Sequence, residues 1–438
     1  MSAEKGRLEK KLVSILVNAA EKPKKILLVY ENMGAGHLRM ARILQDILAG
    51  DKAELVVVDG EGMSGSTTPD FCVKAWNWLL KKNWLRFQNI FMNYLLRMLF
   101  VPIVEAVNNT ATMERIAAIA PDVVICVCDG YSRVLGEYAR EKSIPFFLVI
   151  TDIAVCFDLV NTNAVHVCYF PETAAAVQSY PLDAGYYAKN LSRSSSWKRK
   201  VGYVFEFYYD FIWRRRNMFY RSRETEFAVQ NNLPCEVIGP LAEKKFFTRL
   251  DKRQLQKKYR LPPDIVTVAI ASGGQGGQYL RNIVEVLGSN YHHPLNLLVM
   301  CGYDTETLEV LKARSFGQIN VIPVSHTDCF HEYLGMADCA IIRPSAGTFV
   351  ECLLQRTPVI VPYLTLANDR GSLLIVERYR IGEFYDRISD IPAVLETVLA
   401  NQNYYDVNLE QFMNQYPGCY ELHRANLRRL ILGKEGEA

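Results

Sequence analysis

KILLVYENMGAGHLRMARILQDILAGDKAELVVVD, residues 25–59, carries the pattern on which the fold turns. Lys25-Ile-Leu-Leu-Val-Tyr30 is a short, almost wholly apolar run, as expected of a parallel strand covered on both faces. Gly34-Ala35-Gly36-His37 follows as a turn, a helical pattern continues through Leu48, and Ala53-Glu-Leu-Val-Val-Val-Asp59 reads as the next strand. Strand, helix, strand is one unit of a doubly wound α/β sheet. Similar runs recur at Pro121–Cys128, Pro145–Ile150 and Ala164–Tyr169. Beyond the hinge-like Cys235-Glu-Val-Ile-Gly-Pro240 they return at Ile265–Ile270, Leu295–Met300, Ile319–Ile322, Cys339–Ile342 and Pro358–Pro362. The expected architecture is two Rossmann-like domains facing each other across a cleft. Residues 1–240 form the first, with an aromatic and basic insertion at about 185–235, and 241–410 form the second. In the final segment, 411–438, the helical pattern Tyr420 to Leu432 is placed to pack back across the hinge onto the first domain.

Composition narrows the function. Half of the 438 residues are apolar, and 50 Lys and Arg stand against 47 Asp and Glu. A net charge of +3 argues against nucleic-acid binding by bulk electrostatics. The eleven cysteines fall mostly inside apolar runs and form no Cys-x-x-Cys pair, which points to buried free thiols in a reducing compartment rather than zinc or disulfides. The most apolar stretch, Phe91 to Val104, is too short to cross a bilayer and carries Asn93 and Arg97, and the N-terminus lacks the features of a secretory signal. The expected location is cytoplasmic, peripheral on the inner face of a membrane.

Three strand-to-helix loops could carry chemistry. Gly34, Gly36 and His37 put small residues and a potential general base where a helix begins, though a Gly-rich turn is common in this fold. Gly273-Gly274-Gln-Gly276-Gly277 exposes backbone N–H groups suited to a diphosphate, or is merely a flexible turn, and it lacks the Gly-Lys-Ser/Thr of a nucleotide-hydrolase loop. In Arg343-Pro-Ser345-Ala-Gly347-Thr348-Phe-Val-Glu351, Gly347 and Thr348 can meet phosphate at a helix start. Glu351 either accepts both hydroxyls of a ribose or caps the helix. Asn368 and Asp369, on the next loop, are short polar groups able to bond sugar hydroxyls.

Gly34-Ala-Gly-His37, Val149-Ile-Thr151-Asp152-Ile153, Cys168-Tyr-Phe-Pro171, Ile238-Gly-Pro240, Gly273-Gly274, Ser325-His326-Thr327-Asp328 through Asp338, and Ser345-Ala-Gly347-Thr348 with Glu351 stand in one order. In that order they resemble the monogalactosyldiacylglycerol synthases and bacterial diacylglycerol glucosyltransferases, GT-B enzymes of glycosyltransferase family 28 akin to MurG. The resemblance covers most of residues 25 to 390. It implies His37 or Asp152 as the acceptor-side base, Glu351 on the ribose, and Gly347 and Thr348 at the diphosphate, with Ser345, Gly273 and Gly274 also on the donor side. It also implies His326 and Thr327 at the uracil edge. Asn368-Asp369 stand where the family's Gln-Glu holds the donor sugar, each one methylene shorter, and Ala35 replaces the middle glycine of the first loop.

Two segments fit a membrane surface. Lys74 to Val104 places Trp76, Trp84, Phe87 and Phe91 at helical spacing opposite Lys82, Arg86 and Arg97, fitting an interfacial helix or a core-facing one. Residues 193–227 interleave Lys198-Arg199-Lys200 and Trp213-Arg214-Arg215-Arg216 with aromatics, as a segment beside anionic lipid would. The expectation is an inverting transferase moving a hexose from a UDP-sugar to a membrane lipid such as diacylglycerol, with no cofactor, no metal in the site and no nucleic-acid partner. A MurG-like polyprenyl acceptor, a UDP-N-acetylglucosamine 2-epimerase and a non-catalytic lipid-binding module are the alternatives.

Overall fold

The structure is a computed structural model and describes residues 22–31, 36–60, 63, 68–88, 110–128, 130–155, 159–178, 197, 200–201, 204, 233–274 and 276–433. Two six-stranded sheets dominate it. The first comprises β1 (Lys24–Tyr30), β2 (Ala53–Asp59), β3 (Val123–Cys126), β4 (Phe146–Val149), β5 (Val165–Cys168) and β6 (Cys235–Val237), in the order β2-β1-β3-β4-β5-β6. The second comprises β7 (Thr267–Ala271), β8 (Leu295–Gly302), β9 (Ile319–Ser325), β10 (Cys339–Ile342), β11 (Val359–Pro362) and β12 (Gly382–Tyr385), in the order β12-β11-β10-β7-β8-β9. Every pairing is parallel, with Leu28 opposite both Val57 and Ile125, and Ile270 opposite both Ile341 and Val299. Central strands are covered on both faces, so Ile26–Val29 and Val268–Ile270 are fully buried.

The strand order reverses between β1 and β3 in the first sheet and between β7 and β10 in the second. Ligands of open α/β sheets bind outside the carboxyl ends of strands at such switch points. The loop after β1 leads to the Gly36–Leu48 helix, the loop after β7 holds Gly273, Gly274, Gly276 and Gly277, and the loop after β10 leads to the Ala346–Gln355 helix.

Two strands were not visible as apolar runs: β6, within the hinge-like segment, and β12. Both are edge strands, short and only partly buried, so their sequences need not be apolar on both faces. The amphipathic pattern from Lys74 also divides. The Thr68–Lys82 helix ends at Asn83, whose φ is +56°, with Asn83 N–H donating to Leu80 O (3.0 Å) and Trp84 N–H to Leu79 O (3.3 Å). This left-handed C-cap turns the chain, and Leu85–Phe87 form a separate helical turn rather than a continuation.

At the chain's other end, the Tyr420–Leu432 helix lies on the Gly36–Leu48 helix. Arg428 Nη1 donates to the terminal carbonyls of Ile47 (3.1 Å) and Ala49 (3.0 Å), and Lys24 Nζ donates to Leu432 O (2.7 Å). These cations satisfy carbonyls that a helix end leaves unpaired. The hinge glycine, Gly239, has φ +83°, and a Cβ there would stand 2.8 Å from the His423 ring, so this crossing requires glycine.

Candidate active site

The second sheet supplies the larger part of the site. Gly273, Gly276 and Gly277 all have positive φ, and a Cβ on Gly276 would stand 2.6 Å from Cys301 O. Asp304 fixes this loop: it caps the Thr305–Lys312 helix and accepts the Gly277 N–H (3.0 Å) while its own side chain is fully buried. Burial alone would raise the Asp304 carboxyl, but bonds from Thr307 and Lys81 outweigh it and hold the group below its ordinary range.

The Ala346–Gln355 helix begins at Ser345, whose side chain makes no capping bond, and a Cβ on Gly347 would meet nothing within 4 Å. No Ser345 side-chain bond caps its first N–H groups, and the space beside Gly347 is open, an arrangement suited to an anion. Thr348 is buried and its hydroxyl lies 3.4 Å from Ser345 Oγ. Arg343, at the end of β10, lies beside the glycine loop: a Cβ on Gly273 would stand 3.5 Å from its Nη2. The Arg343 Nε is buried without a hydrogen-bond partner among the described residues and lies 4.0 Å from Asp369 Oδ2. Asp369 is buried and accepts from Thr365 Oγ1 (2.8 Å). Burial raises its carboxyl, against the pull of Arg343 and the Thr365 bond.

Glu351 is 2% exposed and lies in the second turn of its helix, too far along to cap it. Its partner is Arg39, from the Gly36–Leu48 helix of the other domain. Burial pushes the Glu351 carboxyl up to about 7, with Arg39 opposing the rise. His326, the residue after β9, is exposed and its ring lies against that of Tyr303, tilted by 34° with centroids 4.2 Å apart, while Thr327 Oγ1 accepts the Cys329 N–H (3.1 Å).

The first sheet closes the cleft from the other side. His37 sits in the first turn of its helix beside Gly36, where a Cβ would meet nothing within 4 Å. Asp152 follows β4, and its Oδ2 accepts from Asn368 Nδ2 at 2.8 Å, so a candidate base and a candidate sugar-binding residue meet across the cleft. The Asn368 Oδ1 remains buried without a hydrogen-bond partner among the described residues. Gly371 lets the two halves touch, since a Cβ there would stand 2.3 Å from Ala154 N and from the Ile153 carbonyl carbon. Lys81 makes another crossing, with Nζ 3.1 Å from Asp304 Oδ1 and its carbonyl oxygen 2.6 Å from where a Gly277 Cβ would stand.

A structure of Acinetobacter baumannii MurG has this fold, with a TM-score of 0.58, 14% identity and coverage of 94% of this chain and 100% of the other. A processive diacylglycerol β-glucosyltransferase of Bacillus licheniformis is 28% identical over 177 residues, 36% of this chain and 43% of the relative. A probable chloroplastic monogalactosyldiacylglycerol synthase of Glycine max is 21% identical over 400 residues, 86% of this chain and 65% of the relative. The chain has the GT-B fold and is similar in sequence to this group of glycosyltransferases. It spans less than two thirds of the length of these two curated relatives, and no family model matches it.

In this GT-B chain the described surface also carries an aromatic cluster. Trp78, Trp84 and Phe87 are each about half exposed, and their rings meet edge to face at 5.5 and 6.3 Å. Trp197, Val201 and Val204 are exposed at helical spacing, with Lys200 also exposed. Gly34, Phe91, Lys198, Arg199, Trp213, Arg214, Arg215 and Arg216 lie outside the described residues, as does the Trp76 side chain. Sequence reading passed over Arg39, Lys81, Asp304, Gly371 and Trp78, and gave Arg343 no role. Only Trp78, beside lysines in an amphipathic segment, carried a signal of its own.

Proposed function

We propose that the protein transfers a hexose from a UDP-sugar to a hydroxyl of a membrane lipid such as diacylglycerol, with inversion at the anomeric carbon. The observation that carries this reading is Glu351, a nearly inaccessible carboxylate one turn beyond an open helix N-terminus, facing the cleft where the other domain's Arg39 arrives. UDP fits that arrangement: its ribose diol donates to Glu351, and its diphosphate meets the N–H groups at Gly347 and the glycine loop. The Arg343 Nε and the Asn368 Oδ1 offer a donor to the diphosphate and an acceptor to a sugar hydroxyl.

In the reaction the acceptor oxygen attacks C1 and the bond from C1 to the diphosphate breaks. The acceptor proton passes to Asp152 or His37, and UDP leaves with the electron pair. Helix N–H groups and Arg343 stabilise the developing charge, and the transfer needs no divalent ion in the site. The exposed Trp78, Trp84 and Phe87 present an apolar surface to the lipid–water interface beside Lys82, which supports a peripheral position on the membrane. Among the described residues no helix is long and apolar enough to cross it.

Variants separate the roles. Glu351→Ala should weaken UDP binding measured by calorimetry, whereas His37→Ala should leave UDP affinity unchanged and lower turnover. A Glu351→Ala protein that binds UDP as tightly as the parent would remove the ribose assignment.

A further inference from the structure

Arg39 is held at three points. Its Nε donates to Glu243 Oε1 at 2.9 Å, its Nη1 pairs with Glu351 Oε1, and its guanidinium carbon lies 5.3 Å from the centre of the Phe246 ring. These partners come from two elements. Glu243 and Phe246 belong to the segment that joins the domains, and Glu351 belongs to the helix that opens on the proposed diphosphate site. Arg39 itself lies two residues after His37, in the opening turns of the acceptor-side helix.

We propose that Arg39 is a positioning residue for the donor nucleotide, reaching across the cleft from the acceptor domain to hold the Glu351 carboxylate in place for the ribose diol. This rests on the reading of Glu351 as the ribose ligand. A carboxylate shut away from water needs a countercharge to stay ionised, and the ionised form, an acceptor on both oxygens, binds two hydroxyl donors more strongly than the protonated one. The groups facing Glu351 are Arg39 from the Gly36–Leu48 helix, Glu243 and Lys245 from the joining segment, and Cys352 beside it in sequence. Glu243 raises the Glu351 carboxyl while Lys245 and Arg39 lower it. Burial lowers the His331 imidazole, whose ring lies 5.8 Å from that of Phe246.

Of the two cations, Arg39 touches Glu351 directly, whereas the Lys245 ammonium is engaged by Glu243 Oε2 at 2.6 Å. Glu243 thus anchors both cations, and Arg39 carries the link between the helix that bears His37 and the nucleotide carboxylate. Nucleotide binding and the placement of the acceptor-side helix are joined through one side chain.

The test is calorimetric binding of UDP and of 2′-deoxy-UDP to the full chain between pH 6 and 9, for the parent, Arg39→Lys, Arg39→Met, Glu351→Gln and Arg39→Met/Glu351→Gln. The expected result is a roughly tenfold loss of UDP affinity in Arg39→Met at pH 7, the scale of one hydrogen bond to a charged group. The loss should shrink as pH rises, because without Arg39 the carboxylate ionises at higher pH. Affinity for 2′-deoxy-UDP should change much less, Arg39→Lys should recover part of the loss, and the double variant should be no weaker than Glu351→Gln alone.

Equal losses for UDP and 2′-deoxy-UDP at every pH, or no loss while Glu351→Gln is weakened, would overturn the role of Arg39 and leave the ribose reading intact. Parental UDP affinity in Glu351→Gln would instead overturn the ribose reading itself.

Discussion

Replacing Gly371 by alanine tests whether the two domains must meet as closely as they do. The added Cβ would lie 2.3 Å from both Ala154 N and the Ile153 carbonyl carbon, and 2.7 Å from Ile153 Cβ, where ordinary contact begins near 3.4 Å. Two of these three neighbours are backbone, so no side-chain rotation relieves the clash and the cleft must open by about 1 Å, an estimate that takes the contacts as rigid. The Asn368 to Asp152 bond, 2.8 Å long and one turn away, would then exceed hydrogen-bonding distance. A misplacement of about 1 Å at a reacting centre costs on the order of a hundredfold in rate, or about 2.7 kcal/mol of barrier. Local folding should not suffer, because alanine favours a helix over glycine by roughly 0.5–1 kcal/mol. The expected Gly371→Ala protein therefore melts no lower than its parent and binds UDP within about threefold, since the donor groups sit on one domain and the long Arg39 side chain can follow a small opening. Its rate of sugar transfer to diacylglycerol vesicles should fall about a hundredfold. Transfer within twofold of the parent would refute the reasoning, because the productive cleft would then not need the contact at Gly371.

Three further outcomes are expected. Trp78→Ser combined with Trp84→Ser should cut binding to anionic vesicles by tenfold or more in a sedimentation assay, since each ring can contribute roughly 1.5–3 kcal/mol on burial, while UDP affinity stays unchanged. In chemical denaturation the contribution of His166 and His423 to stability should be steady above pH 6.5 and fall toward pH 4, against the opposite trend of the raised Glu351 carboxyl. Burial lowers His166 and His423 to about 4, so the unfolded chain takes up protons in that window that the folded one refuses, and His423→Phe should flatten the slope. Transfer should survive dialysis against EDTA; loss of activity restored by a divalent ion would place a metal in the reaction.

The buried strands were legible in the sequence because a parallel strand covered on both faces leaves an uninterrupted apolar run, as in Ile26–Val29. The same rule hid β6 and β12, whose edge positions relax it, and helical spacing alone did not mark the turn at Asn83. The candidate donor residues could be named because they cluster on loops after strands, where glycine and short polar side chains stand out. What the sequence did not carry is how the halves meet. Arg39 with Glu351, Lys81 with Asp304 and Asn368 with Asp152 join residues far apart in the chain, and nothing in either segment names its partner in the other. Gly371 is equally unmarked, since its role comes from the backbone of another domain.

The central claim is sugar transfer to a lipid, and the most direct measurement supplies labelled UDP-hexoses one at a time with vesicles containing diacylglycerol, then follows label into the lipid phase. The account predicts a labelled glycolipid of inverted anomeric configuration from at least one donor, with Glu351→Ala reducing its formation. UDP binding by the parent protein with no label entering lipid from any UDP-hexose would contradict it.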